Sequence, residues 1–175
     1  MKLFLLGLAV VAVLGFAFSN QSSRASQTPP TTDGRLEGSP KRADKVVKTD
    51  AEWKKILTEA QYKILRNHGT EAAFCGRFYD NHKKGVYLCA GCKLPLFRSD
   101  AKFDSGTGWP SFFQPYAKDS IWTREDNSYG MHRTEVLCAR CDGHLGHVFD
   151  DGPRDKGGLR YCMNSDAFIF KEDGK

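Results

Sequence analysis

The sequence predicts a mainly β (α+β) domain over residues 46–172. Three observations lead there. Short runs rich in β-branched and aromatic residues recur at residues 85–89, 120–123, 134–138, 147–149, 159–164 and 167–170. Gly, Asn and Asp punctuate them, and no helical pattern intervenes. Such a series belongs to an antiparallel sheet or barrel.

Two short helices are expected ahead of the strands. Thr49-Asp50-Ala51-Glu52 is a capping box, followed by an apolar stripe of Trp53, Ile56 and Leu57. Thr58-Glu59-Ala60-Gln61 repeats the signature and opens a helix to about Arg66, with Gly69 as its stop.

The first residues stand apart from this domain. Lys2 precedes an unbroken apolar run over 3–18, the pattern of a secretory signal peptide. The run is short of the roughly 20 residues that a membrane span needs. Small residues at Ala17 and Ser19 suit cleavage, giving a segment 1–19; an uncleaved N-terminal anchor is the alternative. Both imply an exported (periplasmic or secreted) domain. Residues 20–45 are rich in Ser, Thr and Pro and read as a flexible linker. The net charge of +5 over 175 residues is spread without a basic stripe, so nothing points to nucleic acid.

The stretch 159–164 alternates in character. As a strand it turns Leu159, Tyr161 and Met163 to a core and Arg160, Cys162 and Asn164 to the other face. Arg160 and Asn164 would each lie roughly 6.5–7 Å from Cys162. A cation so near favours the thiolate, the nucleophilic form. A half-exposed strand that merely carries a Cys fits equally well.

Four of the six cysteines form two C-x-x-C knuckles, Cys89-Ala90-Gly91-Cys92 and Cys138-Ala139-Arg140-Cys141. Paired knuckles supply the four thiolates of a tetrahedral structural zinc site, with no position left open for catalysis. Disulfides are the competing reading in an exported chain. Cys75 and Cys162 remain, a pair that suits attacking and resolving roles, unless Cys75 is simply a buried apolar residue. His144 and His147 lie three residues apart, each preceded by Gly, and suit acid–base work or hydrogen bonding in a core. In 103–112, Gly106 and Gly108 let the backbone approach a ligand, and Trp109 offers either a flat apolar wall or a core side chain.

Taken together, Gly106-x-Gly108-Trp109-Pro110-Ser111-Phe112, both C-x-x-C pairs, the run from His144 to Phe149 with Asp151-Gly152-Pro153, and Arg160-Tyr161-Cys162-x-Asn164-Ser165 closely resemble the methionine sulfoxide reductase type B family. The resemblance implies a twisted antiparallel β-barrel-like core with short helices outside. It implies reduction of the R epimer of methionine sulfoxide, free or in proteins, in the repair of oxidised proteins. Cys162 matches the nucleophile and Trp109 the wall for the substrate methyl group. His144, His147 and Asn164 match polar site members, Arg160 and Asp151 charged supporting residues, and Cys89, Cys92, Cys138 and Cys141 the zinc ligands. His147 is the favoured proton donor. The resemblance implies a thioredoxin as donor in the cytoplasm, and an exported domain would need a membrane-relayed or periplasmic thioredoxin-like donor instead; the chain is expected to be a monomer.

Two positions depart from the family pattern. Thr107 stands where many members carry the resolving Cys, and Cys75 matches the alternative resolver found before the first knuckle in others. Asp166 replaces a small residue. Two other classes compete with the enzyme. A zinc-ribbon interaction module leaves the Cys162 face, the paired His and the Trp109 loop without a purpose. A general disulfide oxidoreductase would use one C-x-x-C as its active pair, and both pairs here suit a metal.

Overall fold

A computed structural model describes residues 36–174. The expected signal or anchor at 1–19, and residues 20–35 of the expected linker, lie outside the described residues. Among the described residues no helix is long and apolar enough to cross a membrane.

Helix α1 spans Asp50–Ile56 and α2 spans Glu59–Leu65. Both predicted capping boxes are present. Thr49 accepts from the Glu52 amide and donates its own amide to the Glu52 carboxylate; Thr58 and Gln61 do the same. Each cap stabilises its helix by about 1 kcal/mol. Trp53 and Leu57 turn inward as expected, but Ile56 is 54% exposed, because α1 ends there and its buried stripe is only one turn long. Gly69 is not the left-handed stop of α2. His68 takes the positive φ, and the Gly69 amide closes back onto the Lys63 carbonyl at 3.0 Å.

Among the described residues nine antiparallel strands follow: β1 Gly85–Cys89, β2 Pro95–Arg98, β3 Lys102–Phe103, β4 Ser111–Phe112, β5 Ile121–Asp126, β6 Arg133–Cys138, β7 His144–Phe149, β8 Arg160–Met163 and β9 Phe168–Glu172. They form a three-stranded sheet, β2-β1-β9, and a six-stranded sheet, β3-β4-β8-β7-β6-β5. The fold class is therefore as expected, arranged as two sheets. The sequence signal missed β2, which begins on a proline, and β3 and β4, two residues each, too short for any period. Leu159, expected to face the core, is 40% exposed. It precedes β8 and leaves the Gly157-Gly158 turn, where both glycines have positive φ.

The two sheets share one aromatic core. Phe97 of β2 stacks on Phe112 of β4 at 4.4 Å, and Tyr87 of β1 meets the Phe112 edge at 5.0 Å. Phe168 of β9 contacts all three rings. Each such ring contributes about 1.5–3 kcal/mol through burial. Burial pushes the Tyr87 phenol up to about 12, while Asn81 satisfies its oxygen at 2.9 Å.

Residues 36–45, expected to belong to a flexible linker, are bonded to the domain. Asp142 accepts from the Leu36 amide, the Ser39 hydroxyl, Lys45 and the Trp122 indole. Lys45 and Asp142 form a buried pair at 2.7 Å. Asp44 pairs with both Arg42 and Arg140, and the Val46 amide donates to the Arg140 carbonyl. The composition is polar because this strap is held by ion pairs rather than by apolar burial.

Candidate active site and metal centre

The two knuckles are built alike. Cys89 ends β1 and Cys138 ends β6. In each, the first Cys amide donates to the carbonyl five residues on, Leu94 or Gly143, at 2.9 Å. The residue four positions on, Lys93 or Asp142, has positive φ and returns its amide to that Cys carbonyl at 2.9 Å. The turns bring Cys89 Sγ within 3.7 Å of Cys141 Sγ and Cys92 Sγ within 3.5 Å of Cys138 Sγ. All four sulfurs lie within 4.8 Å of one another. A tetrahedral ion with bonds of about 2.3 Å to sulfur needs edges of about 3.8 Å, so the residues fit a metal. None of the six cysteines is in a disulfide. The helices back this centre: Trp53, Leu65 and Cys141 surround Gly91, and Arg66 donates to the Cys141 carbonyl.

Cys162 lies elsewhere, in the middle of the larger sheet. On β8 it is the cross-strand partner of Ser111 on β4 and of His147 on β7. Its sulfur is 3.9 Å from the Thr107 hydroxyl, which hydrogen-bonds to Ser105, itself bonded to Ser111. The thiol pKa is not lowered as the nearby cation suggested. Burial pushes it up, and this outweighs the opposing pulls of Thr107 and Arg160. The Arg160 guanidinium is already committed. It forms a two-pronged pair with Asp151 at 2.7 and 2.8 Å and lies over the Phe149 ring.

His144 and His147 would face opposite sides of a regular strand. A bulge at Leu145, where Leu137 pairs with His144 but Val136 with Gly146, brings the rings to 5.4 Å. Gly146 is required there, since a Cβ would sit 2.2 Å from the Cys162 carbonyl oxygen. Each ring is held by a carboxylate. His147 Nε2 meets Asp126 at 2.8 Å, and His144 Nδ1 meets Glu135 at 2.6 Å. Burial lowers both imidazole pKa values against the pull of these partners. Both carboxyls are held well below the usual range, Asp126 by Ser128, His147 and Arg133, and Glu135 by His144 and His68.

Asn164 follows directly on the strand of Cys162 and keeps an extended backbone. β8 ends at Met163, and Asn164 opens a 3-10 turn with its side chain buried. Its amide accepts from the Glu71 N–H and donates to the Leu145 carbonyl, so it acts as a brace. Glu71 is a junction that the sequence did not flag. Its carboxylate accepts from the Ser165 and Asp166 amides, and its carbonyl accepts from the half-buried Trp109 indole. Gly108 joins the same junction: its carbonyl accepts from the Phe74 amide, and a Cβ there would strike Phe74. Exposed Cys75 thus stands in a loop docked on the Trp109 loop, whose Thr107 touches Cys162. Asp166 lies 3.9 Å from Arg77 of the Cys75 loop. The other unpredicted members are Asp126, Glu135 and His68. The available signal for Glu135 was a lone charge leading the apolar run 136–138.

A half-buried thiol with a cross-strand imidazole, set apart from a closed four-cysteine centre, defines a thiol-dependent oxidoreductase. Residues 57–172 match the SelR domain family. The chain is 55% identical over 128 residues to the peptide methionine sulfoxide reductase MsrB of Leptospira interrogans, covering 73% of this chain and 97% of the relative. It is 54% identical to the MsrB proteins of Herminiimonas arsenicoxydans and Methanosarcina barkeri, covering 73% and 74% of this chain and 92% of each relative. The chain belongs to the SelR domain family, that of the MsrB peptide methionine sulfoxide reductases.

Proposed function

We propose that the chain reduces the R epimer of methionine sulfoxide, free or in proteins, with Cys162 as nucleophile. The observation that carries this reading is the pairing of Cys162 with His147 across β8 and β7. Burial raises the thiol pKa and lowers the imidazole pKa, so at neutral pH the pair holds one proton on sulfur. His147 takes that proton as the thiolate attacks, and delivers it to the sulfoxide oxygen. The Cys162 thiolate attacks the sulfoxide sulfur; the protonated oxygen then passes to the Cys162 sulfur as its bond to the substrate sulfur breaks, so methionine leaves reduced and Cys162 becomes a sulfenic acid. Trp109 walls the substrate methyl group, and the Arg160–Asp151 pair borders the pocket.

Cys75 then condenses with the sulfenic acid, forming a disulfide and releasing water. A thioredoxin-like dithiol reduces that disulfide and becomes oxidised itself. Thr107 stands near Cys162 but carries no thiol, and the docked Cys75 loop is the nearby source of one. The four-cysteine centre takes zinc, which would serve as a structural cross-link. The protein acts as a monomer in an exported compartment, cleaved after the apolar segment or anchored by it. In this reading residues 1–19 serve as signal peptide or N-terminal anchor and residues 46–172 as the reductase domain. The test is turnover of R- against S-methionine sulfoxide with a dithiol, beside metal analysis. R-selective turnover supports the reading; S-selective or absent turnover overturns it.

A further inference from the structure

Glu135 is a buried carboxylate that touches neither Cys162 nor the four-cysteine centre in any bond described above. Three donors from three separate elements converge on it. His144 Nδ1 on β7 lies 2.6 Å and His68 Nδ1, beyond α2, 2.8 Å from the same oxygen, Oε1. Arg124 Nε on β5 lies 2.6 Å from Oε2. A carboxylate accepts only, so both imidazoles must carry their proton on Nδ1. The other edge of His144 follows from this: a neutral ring then leaves Nε2 a bare acceptor. That atom is buried and has no hydrogen-bond partner among the described residues, in a residue only 2% exposed.

The same three side chains, His68, Glu135 and His144, could in principle hold a cation. The guanidinium on the second oxygen argues against it, and so do two ring nitrogens within hydrogen-bond distance of the first. The arrangement is that of a proton-filled clamp. Buried acceptors without partners are rare in folded proteins, so each calls for a reason.

We infer that Glu135, held by His68 and Arg124, is a positioning residue that locks His144 in one tautomer and so keeps its Nε2 as a fixed acceptor beside His147 and the Cys162 strand. The inference rests on the reductase reading and goes beyond it. Asp126 holds the ring that shuttles the proton, and Glu135 holds the ring that stays a pure acceptor. The two rings, 5.4 Å apart, cannot then exchange roles. Orienting carboxylates of this kind matter through the tautomer they impose on a histidine.

The experiment reads the His144 ring nitrogens by 15N-edited NMR in the full chain and measures the rate of the first turnover. In the unsubstituted chain at pH 7, Nδ1 is protonated and Nε2 is not. The reverse pattern overturns the inference without any variant. Glu135→Gln can donate as well as accept, so the tautomer is released and the first-turnover rate falls about 10²-fold. Glu135→Asp, which keeps the charge, recovers at least part of that rate and the original ring pattern. A Glu135→Gln enzyme with an unchanged rate overturns the inference, as does one that slows while the His144 signals stay put. Failure of the underlying reading shows separately, as sustained turnover by Cys162→Ser.

Discussion

The four-cysteine centre and the Cys162 pocket place the same functional group in opposite surroundings. At the centre, two turns of identical hydrogen bonding hold four sulfurs at tetrahedral spacing, behind the helices and beneath the strap. Cys162 is half-buried on a strand, with the Thr107 and Ser111 hydroxyls near its sulfur and a histidine across the ladder. Thiols that face each other suit a metal. A thiol that faces a histidine suits proton transfer. The difference lies in what is adjacent, since burial alone disfavours the charged form in both places.

The sharpest way to break this contrast is Cys162→Ser. It is expected to reduce turnover by at least about 10³-fold, since a serine hydroxyl is a far weaker nucleophile, while metal content stays unchanged. Parallel loss of metal would show that the two regions are one unit. Next in size is Cys89→Ser, which should lower metal stoichiometry and destabilise the fold by several kcal/mol, given that structural zinc sites contribute about 10 kcal/mol or more in small domains. Melting curves with metal analysis check it, and an unchanged melt with full metal would defeat the assignment.

Asp142→Ala leaves Lys45 buried without its partner and should cost about 3 kcal/mol in chemical denaturation. A loss below about 1 kcal/mol would mean that the strap is held by other contacts. Cys75→Ser is expected to allow one turnover and then to slow cycling at least about tenfold with a protein dithiol donor. Sustained cycling would remove Cys75 as the resolving thiol. The smallest effect is on pH dependence. The shared-proton form of the Cys162–His147 pair exists above the lowered His147 pKa and below the raised Cys162 pKa. First-turnover rates should therefore stay within about twofold from pH 6.5 to 8.5, the ordinary His and Cys values. They should fall in acid, where the base is filled, and in alkali, where the proton is gone. A rate that climbs steadily through this window would break the paired assignment.

The sequence made legible whatever is contiguous. Both knuckles, the two capping boxes and the strand bearing Cys162 are local patterns, and the structure contains each of them. Partners joined only through the fold were not legible. Asp126 and Glu135 lie on strands that reach the histidines by sheet pairing. The bulge at Leu145 leaves no periodic trace, yet it decides that His144 and His147 share a side. Asn164 reads as a polar neighbour of Cys162, while its bonds to the Glu71 amide and the Leu145 carbonyl follow only from the fold. The strap was hidden by its composition, since Lys45 and Asp44 look like solvated charges until Asp142 and Arg140 are placed beside them.

One consequence of the matched knuckles concerns the unfolded chain. Cys92 and Cys138 are 46 positions apart, and the segment between them carries Thr107, Trp109 and Ser111. With an ion in place, that segment is a closed ring even before the strands pair. Closing a ring of this size removes entropy worth about 4 kcal/mol from the denatured ensemble, by the same reckoning used for disulfides. A sulfur–sulfur bond could do the same, but it would be open to exchange with a reactive thiol. A ring closed through metal–thiolate bonds contains no disulfide for such a thiol to exchange with, so the staple and the separate Cys162 thiol can coexist in one chain.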